Sequence, residues 1–384
     1  MWTMIASLQV CVDCLTPAFT QPSFFTCGQL LLGWVMCLGK HTLSRVGHCV
    51  HPAVEPDHSR RHGLDGYYNF FERSAWAPTD LAYRLAWLIL TRLKRFGPVT
   101  LLVDDTLAHK RGKCVWGLGW FPGHTFTLVG DGAYACQELL GDLDGRVVFV
   151  GRMRGDAAVY DPHVPQPRKG KRGPKAKKGP RLPAPKEAAA KADRKRTTFG
   201  LWLWRAVEVV VYGQSRRLAV VSYEALWPRV LGLRPIQVLV VRDPGGRMRD
   251  CYLFTTDLRA RAEWVVTQFA WRWAIEVLFR ASKQVLDIEA PRHWGQGSVE
   301  RVAPWVWSMQ SVIMVWYIMA GRTLPEALEL REVMGDWDSE WSLRHMLQVL
   351  RRAVLNVTID PNSADQAKLM EIVKTLKNWA NLAA

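Results

Sequence analysis

One carboxylate stands among cations and indoles in residues 271–276 (WRWAIE), which continue to Arg280 and Lys283. The pattern predicts a helix. Arg272 and Glu276 are four residues apart, as are Glu276 and Arg280, so the three side chains share one side of that helix. Lys283 follows seven residues after Glu276 and joins the same side. An acid held in this way is unusual for packing alone, and it suits a site that holds a metal ion and a polyanion together.

Further acids follow two predicted buried strands. Asp104 and Asp105 come directly after the apolar run 98–103, and Asp131 follows a second, alternating run. Carboxylates from separate elements can hold two divalent cations for phosphoryl transfer, and Mg²⁺ takes oxygen ligands. The candidate ligands of two Mg²⁺ (or Mn²⁺) ions are therefore Asp104 or Asp105, Asp131 and Glu276. Asp104 and Asp105 point to opposite faces if the strand continues, so spacing alone does not choose between them.

The same acids also have plain structural interpretations. Asp131 precedes a glycine, which is typical of a turn. Glu276 can form an exposed helix salt bridge with Arg272 or Arg280, which contributes little stability. The local sequence leaves both interpretations open.

Composition indicates a globular, basic protein. The chain has 384 residues, of which 49% are hydrophobic, and a formal charge of +16. Residues 168–196 carry thirteen Lys and Arg against two acids, so much of the excess is local. A basic balance favours nucleic acid or an acidic membrane surface as partner, and nineteen tryptophans suit base stacking. Trp271 and Trp273 lie on different faces of the predicted helix, so at least one is expected to be buried.

Cysteine usage and hydropathy favour a cytoplasmic protein without a membrane partner. The eight cysteines are scattered, and Cys11 and Cys14 form a lone C-x-x-C pair, which disfavours zinc and suits reduced thiols. The N-terminus lacks the charged region of a secretory signal. Residues 302–320 are apolar, but polar residues interrupt them, so we expect a buried helix.

The predicted elements form a helical N-terminal region followed by mixed α/β structure. Residues 24–38 form a helix that stops near Gly39, and a second helix begins near Thr42; this fits a DNA-binding helix-turn-helix or a plain bundle. Residues 162–198 are too polar to pack and are predicted to be a flexible linker. Further helices are predicted at 78–95, 259–286 and 299–320, and strands at 98–103, 124–130, 146–152, 206–212, 217–221, 236–242 and 251–256.

The ordered set of motifs resembles the DDE transposases of bacterial insertion sequences, in the group whose catalytic helix reads Tyr-x2-Arg-x3-Glu-x6-Lys. Arg272, Glu276 and Lys283 fall on that spacing, with Phe269 at the position of the Tyr. Four more segments carry the resemblance: 101–106 followed by Lys110 and Gly112 for the first acid, 129–134 for the second, the Gly-Pro-Lys of 172–175, and 255–258 before the catalytic helix.

The resemblance implies an α/β fold with an RNase H-like catalytic core, in which a mixed sheet is flanked by helices. The core would comprise residues 98–152 and 257–325. A β-rich insertion at 153–256, with the basic linker 162–198, would interrupt it. Residues 1–97 would form a helical N-terminal domain, a candidate for DNA-end binding, and residues 326–384 a C-terminal helical region.

The resemblance also implies metal-dependent cleavage at the ends of an insertion element and strand transfer into target DNA. Asp104, favoured over Asp105, would act with Asp131 and Glu276. DNA phosphates would be bound by Arg272, Lys283, Arg280 and Lys110, in a homodimer or larger assembly on DNA. The alternatives are an RNase H-like nuclease that does not transpose and an inactive, domesticated DNA-binding protein.

Overall fold

The computed structural model is a mixed α/β protein, as the sequence predicts. It describes residues 4–50, 64–94, 97–103, 123–141, 143, 145–163, 177–194, 203–211, 213–291, 295–334 and 341–358. The chain divides into two compact units, residues 1–95 with 278–384 (the helical unit) and residues 96–277 (the sheet unit). The candidate residues Asp104, Asp105 and Lys110 lie outside the described residues.

The described α-helices are α1 (Ala6–Asp13), α2 (Gln21–Met36), α3 (Leu43–Val50), α4 (Leu64–Glu72), α5 (Pro78–Arg92), α6 (Gln137–Leu140), α7 (Pro185–Arg194), α8 (Pro228–Leu231), α9 (Ala262–Trp271), α10 (Trp273–Val285), α11 (Gln296–Met319), α12 (Pro325–Met334) and α13 (Leu343–Thr358). The described strands are β1 (Gly97–Leu102), β2 (His124–Gly130), β3 (Val147–Arg152), β4 (Arg205–Val211), β5 (Gln214–Leu226), β6 (Pro235–Arg242) and β7 (Cys251–Thr255). Every predicted strand is present. Most bounds differ by one residue, but β5 runs from Gln214 to Leu226, well beyond the predicted 217–221.

The core of the helical unit forms around α11. Trp305, Trp316 and Tyr317 of this helix are fully buried, together with apolar side chains of the N-terminal and C-terminal helices. Among the described helices, α11 alone is long and apolar enough to cross a membrane, but 61% of its most apolar window is buried inside the protein. The predicted buried helix over residues 302–320 is confirmed.

The local sequence of helix α5 determines where the helix begins and ends. Pro78 stands at the start, where the N–H that proline lacks would have no partner within the helix. Arg92 lies in the last turn, where its positive charge interacts favourably with the negative end of the helix dipole. Leu81 and Leu88 are buried. The helix ends at Arg92, three residues before the predicted end, and Leu93, which follows it, is exposed.

The sheet unit is built on seven described strands in the order β1-β2-β3-β7-β6-β5-β4. The first three are parallel and the remaining pairs are antiparallel. Strands β4 to β7 come from the predicted insertion, yet β7 pairs directly with β3, with Val150 opposite Thr255. One face of the sheet is covered by α9, whose Val265 and Val266 join the strands' valines and leucines in a single core.

The predicted flexible linker at 162–198 contains a packed helix, so the prediction is wrong for its described part. Helix α7 buries Ala188, Ala189 and Ala192. These small side chains give the helix an apolar face despite its many charges, and it lies against β5 and β6. Residues 164–176 and 195–198 lie outside the described residues.

Candidate active site

Asp131 lies at the carboxyl end of β2. Its backbone is extended, and its Oδ1 accepts a hydrogen bond of 2.8 Å from the N–H of Ala133 in a short 3-10 turn. This bond orients the carboxylate. The turn that the local sequence indicates is therefore present, and it leaves the acid at the end of a central parallel strand.

Strands β1 and β2 end side by side. They are parallel, with Leu102 paired to Val129, and the N–H of Val103 donates to the carbonyl of Val129 at 2.9 Å. A Cβ on Gly130 would lie 3.1 Å from Val103 Cγ2, so the backbones remain close beyond the last pair. Parallel strands bring their carboxyl ends to one sheet edge. Asp104 is the next residue after Val103 in the chain.

The prediction of one long helix around Glu276 is wrong. The helix is interrupted at Arg272, which lies between α9 and α10. The N–H of Arg272 donates to the carbonyl of Phe269 at 3.2 Å, and the N–H of Ile275 donates to that of Arg272 at 3.0 Å. Both bonds span three residues instead of four, which tightens the turn. Glu276 therefore stands in the first turn of α10, where the positive end of the helix dipole favours a carboxylate.

Arg272 and Glu276 form a salt bridge, with 3.2 Å between Nη2 and Oε1. The side chains are 21% and 37% exposed, respectively. The pair holds the carboxylate in a fixed direction while leaving part of it open to solvent. Its stability contribution is small at this exposure, so the geometry suits positioning better than stabilisation.

The other two predicted DNA-binding cations on α10 lie farther along the helix. Lys283 pairs with Glu289 at 2.7 Å, in a highly exposed ion pair, and Arg280 is exposed. Neither makes the contact with Glu276 that the spacing alone permits. Both are accessible to a polyanion.

Trp271 and Trp273 are both exposed, at 51% and 42%. The expectation that at least one is buried is wrong. It assumed a single helix, whereas Trp271 ends α9 and Trp273 begins α10. Two large indoles therefore remain accessible within five residues of Glu276 along the chain.

Gln268 and Thr100, which the sequence did not single out, link α9 to β1. Thr100 Oγ1 donates to Gln268 Oε1 at 2.7 Å, and Gln268 is buried. The bond ties the helix before Glu276 to the strand before Asp104. A buried Gln in an otherwise apolar helix face was the available signal, and it becomes informative only once the partner strand is known.

The carboxylates fit divalent cations by their chemistry. Asp131 and Glu276 offer oxygen ligands, which suit Mg²⁺ or Mn²⁺ better than softer metals. Among the described residues, no three His, Cys, Asp or Glu side chains come together as a metal site. The other candidate ligands, Asp104 and Asp105, lie outside that part of the chain.

Comparison with known families gives one match. Residues 14–127 match the family model described as DDE superfamily endonuclease, and no curated protein matches the chain. The matched segment includes α2 to α5 and β1, and it ends within β2, before Asp131 and Glu276. Enzymes of this superfamily generally use divalent metal ions, and DNA is the implied substrate. Residues 14–127 therefore carry the sequence pattern of a DDE superfamily endonuclease, which supports catalysis of the nuclease or transposase type.

Proposed function

We propose that the protein is a DNA transposase, which cleaves DNA at the ends of an insertion element and joins those ends to target DNA. The observation that carries the proposal is the parallel pairing of β1 and β2, because it ends both acid-bearing segments at one sheet edge. The family match covers β1 and the segment that contains Asp104 and Asp105. An RNase H-like core is part of this proposal, and the parallel strands β1, β2 and β3 are consistent with it.

Asp104, Asp131 and Glu276 would hold two Mg²⁺ or Mn²⁺ ions. When bound, such ions supply activation of the attacking oxygen and stabilisation of the leaving oxygen in an in-line displacement. The hydrogen bond from Ala133 orients Asp131, and Arg272 orients Glu276. Positioned charge supplies most of the catalysis in phosphoryl transfer.

The surface around Glu276 is suited to DNA. Arg280 and Lys283 add positive charge to the helix that carries the acid, and exposed Trp271 and Trp273 offer flat apolar rings. Cations bind phosphates, and indoles stack on unpaired bases. A cleavage site needs both contacts when a strand end leaves the duplex.

We further propose that the protein acts in the cytoplasm, on the nucleoid, as a dimer or larger assembly that pairs two element ends. The basic balance of the chain, +16, suits a DNA partner. DNA binding is expected to weaken with added salt, because phosphate contacts release counterions.

The decisive experiment incubates the purified protein with Mg²⁺ or Mn²⁺ and DNA that carries the sequences flanking its own gene. Cleavage at defined ends, followed by joining to a target plasmid, supports a transposase. Nicking without end preference supports a nuclease that does not transpose, and binding without cleavage supports an inactive DNA-binding protein. Either of the last two results refutes the proposal.

A further inference from the structure

The sheet edge at which the parallel strands end continues through the antiparallel strands. Strands β1, β2 and β3 end there, and Asp131 follows β2. Strand β7 runs antiparallel to β3, and β6, β5 and β4 each reverse direction in turn. The β6–β7 turn (residues 243–250) and the tip of the β4–β5 hairpin at Gly213 therefore lie at the same edge. We call this edge, which Asp131 marks, the acid edge.

Arg152, the last residue of β3, lies beside Asp131. Gly130 pairs with Gly151 in the parallel ladder, so the residue that follows each of them leaves the sheet next to the other. A Cβ on Gly132 would lie 3.7 Å from the carbonyl oxygen of Arg152. The side chain of Arg152 is exposed. A free cation therefore stands next to a candidate metal ligand.

The strand pleat places Arg152 and Asp131 on one face of the sheet. Val150 and Val129 are buried in the core that α9 covers. Residues two apart on a strand share a face. Arg152 follows Val150 by two residues, and Asp131 follows Val129 by two with an extended backbone. Both side chains thus belong to the face that also carries α9.

Arg216 extends the positive charge along the acid edge to β5. It precedes Leu218 by two residues, and Leu218 is buried in the same core, so Arg216 shares the α9 face. Its Nη2 donates to Gln214 Oε1 at 3.2 Å, which directs the guanidinium toward the hairpin tip. Strand β5 is the fourth strand from β2 in the sheet order, about 19 Å away at roughly 4.8 Å per strand.

The β6–β7 turn adds a third cation between these two. Arg249 is exposed there. The acids of the turn are occupied: Asp243 is buried and pairs with Arg247 at 3.6 Å, and Asp250 accepts two hydrogen bonds from Arg242. The uncompensated charge of the turn is therefore positive.

We propose that Arg152, Arg249 and Arg216 form a row of phosphate contacts along the acid edge, which binds the backbone of the DNA that enters the candidate site. Within the part of the chain that the structure describes, none of the three forms an ion pair with a carboxylate. Guanidinium groups bind phosphate oxygens through paired hydrogen bonds. A row of about 19 Å spans roughly five to six nucleotides of one strand at 3.4 Å each. The inference rests on the proposed function, because it names the surface that holds the DNA substrate.

Arg217 supplies the matched control for this row. It is exposed and adjacent to Arg216 in β5, so it has the same charge and nearly the same backbone position. Its side chain belongs to the opposite face of the sheet, where it stands across from the exposed Glu208 of β4. Contacts made by the α9 face therefore exclude Arg217.

The test measures binding of the full-length protein to a fluorescein-labelled duplex that carries the sequences flanking its gene, by anisotropy, without metal and over a series of KCl concentrations. Replacing Arg152, Arg216 and Arg249 together by Gln should flatten the plot of log association constant against log salt concentration. The slope should fall by about 0.9 for each lost phosphate contact, or about 2.7 in all. Arg217→Gln should leave the slope unchanged.

Replacing the same three arginines by Lys separates lost charge from lost fold. Lysine keeps the point charge, so this variant should restore most of the wild-type slope. The row is overturned by a Gln variant with the wild-type slope, by an equal effect of Arg217→Gln, or by a Lys variant that restores nothing.

These outcomes are distinct from failure of the proposed function, because the binding assay contains no metal and records no cleavage. A wild type that loses slope with the Gln substitutions but never cleaves would refute the transposase and leave the row standing. Normal cleavage with an unchanged slope would refute the row alone.

Discussion

Replacing Glu276 by glutamine separates a catalytic acid from a structural one. Its carboxylate accepts a hydrogen bond of 3.2 Å from Arg272, and a Gln Oε1 can accept the same bond. Since Glu276 is 37% exposed, the lost charge attraction is worth about 1 kcal/mol at most. For a unit of residues 96–277, that lowers the melting temperature by roughly 2–4 °C.

The expected effect on DNA cleavage is far larger. A carboxylate that holds a catalytic metal supports several kcal/mol of transition-state stabilisation. A loss of about 4 kcal/mol lowers the rate roughly a thousandfold. We therefore expect Glu276→Gln to bind DNA with wild-type affinity, to melt within a few degrees of the wild type, and to show almost no cleavage.

The assay follows Mg²⁺-dependent cleavage of a supercoiled plasmid that carries the flanking sequences, with DNA binding measured by fluorescence anisotropy. Glu263→Gln is the matched control, because Glu263 is an exposed acid in the first turn of α9. It should cleave normally. If Glu276→Gln retains cleavage within about tenfold of the wild type, the metal-ligand role of Glu276 is refuted.

Two further predictions test other parts of the structure. Trp271→Ala should weaken binding of a labelled single-stranded oligonucleotide by about 1–3 kcal/mol without changing the melting temperature; unchanged affinity would count against base stacking. Gln268→Ala should lower the free energy of unfolding by about 2 kcal/mol in urea denaturation, because it leaves the Thr100 hydroxyl without its acceptor; a change below about 0.5 kcal/mol would show that the bond contributes little.

The strands could be predicted from sequence because each is a short apolar or alternating run between turn residues. The run 124–130 is β2, residue for residue, and 236–242 differs from β6 by one residue. The order of the strands could not be predicted. It depends on which runs pair across the sheet, and the β7–β3 pairing joins residues about a hundred positions apart, such as Val150 and Thr255.

Helix α7 shows a second limit of composition. Its sequence is strongly charged, and charge density alone predicts a solvated segment. The structure depends instead on the positions of Ala188, Ala189 and Ala192, which put small apolar side chains on one helix face. The charged residues occupy the opposite face, so the helix packs without burying them.

The sequence predicted one contact within the candidate site but not the shape of the helices that carry it. The spacing of Arg272 and Glu276 correctly predicted their salt bridge. The tightened turn between the two helices still brings side chains four residues apart next to each other. The interruption of the helix at Arg272 could not be predicted, since no proline or glycine lies there. It ends α9 at one indole and begins α10 at another, and the two rings are therefore exposed on successive helices. Exposed indoles forgo the stabilisation of burial. Under the proposed function, unpaired DNA bases would cover them, because the flat face of a base stacks on an indole.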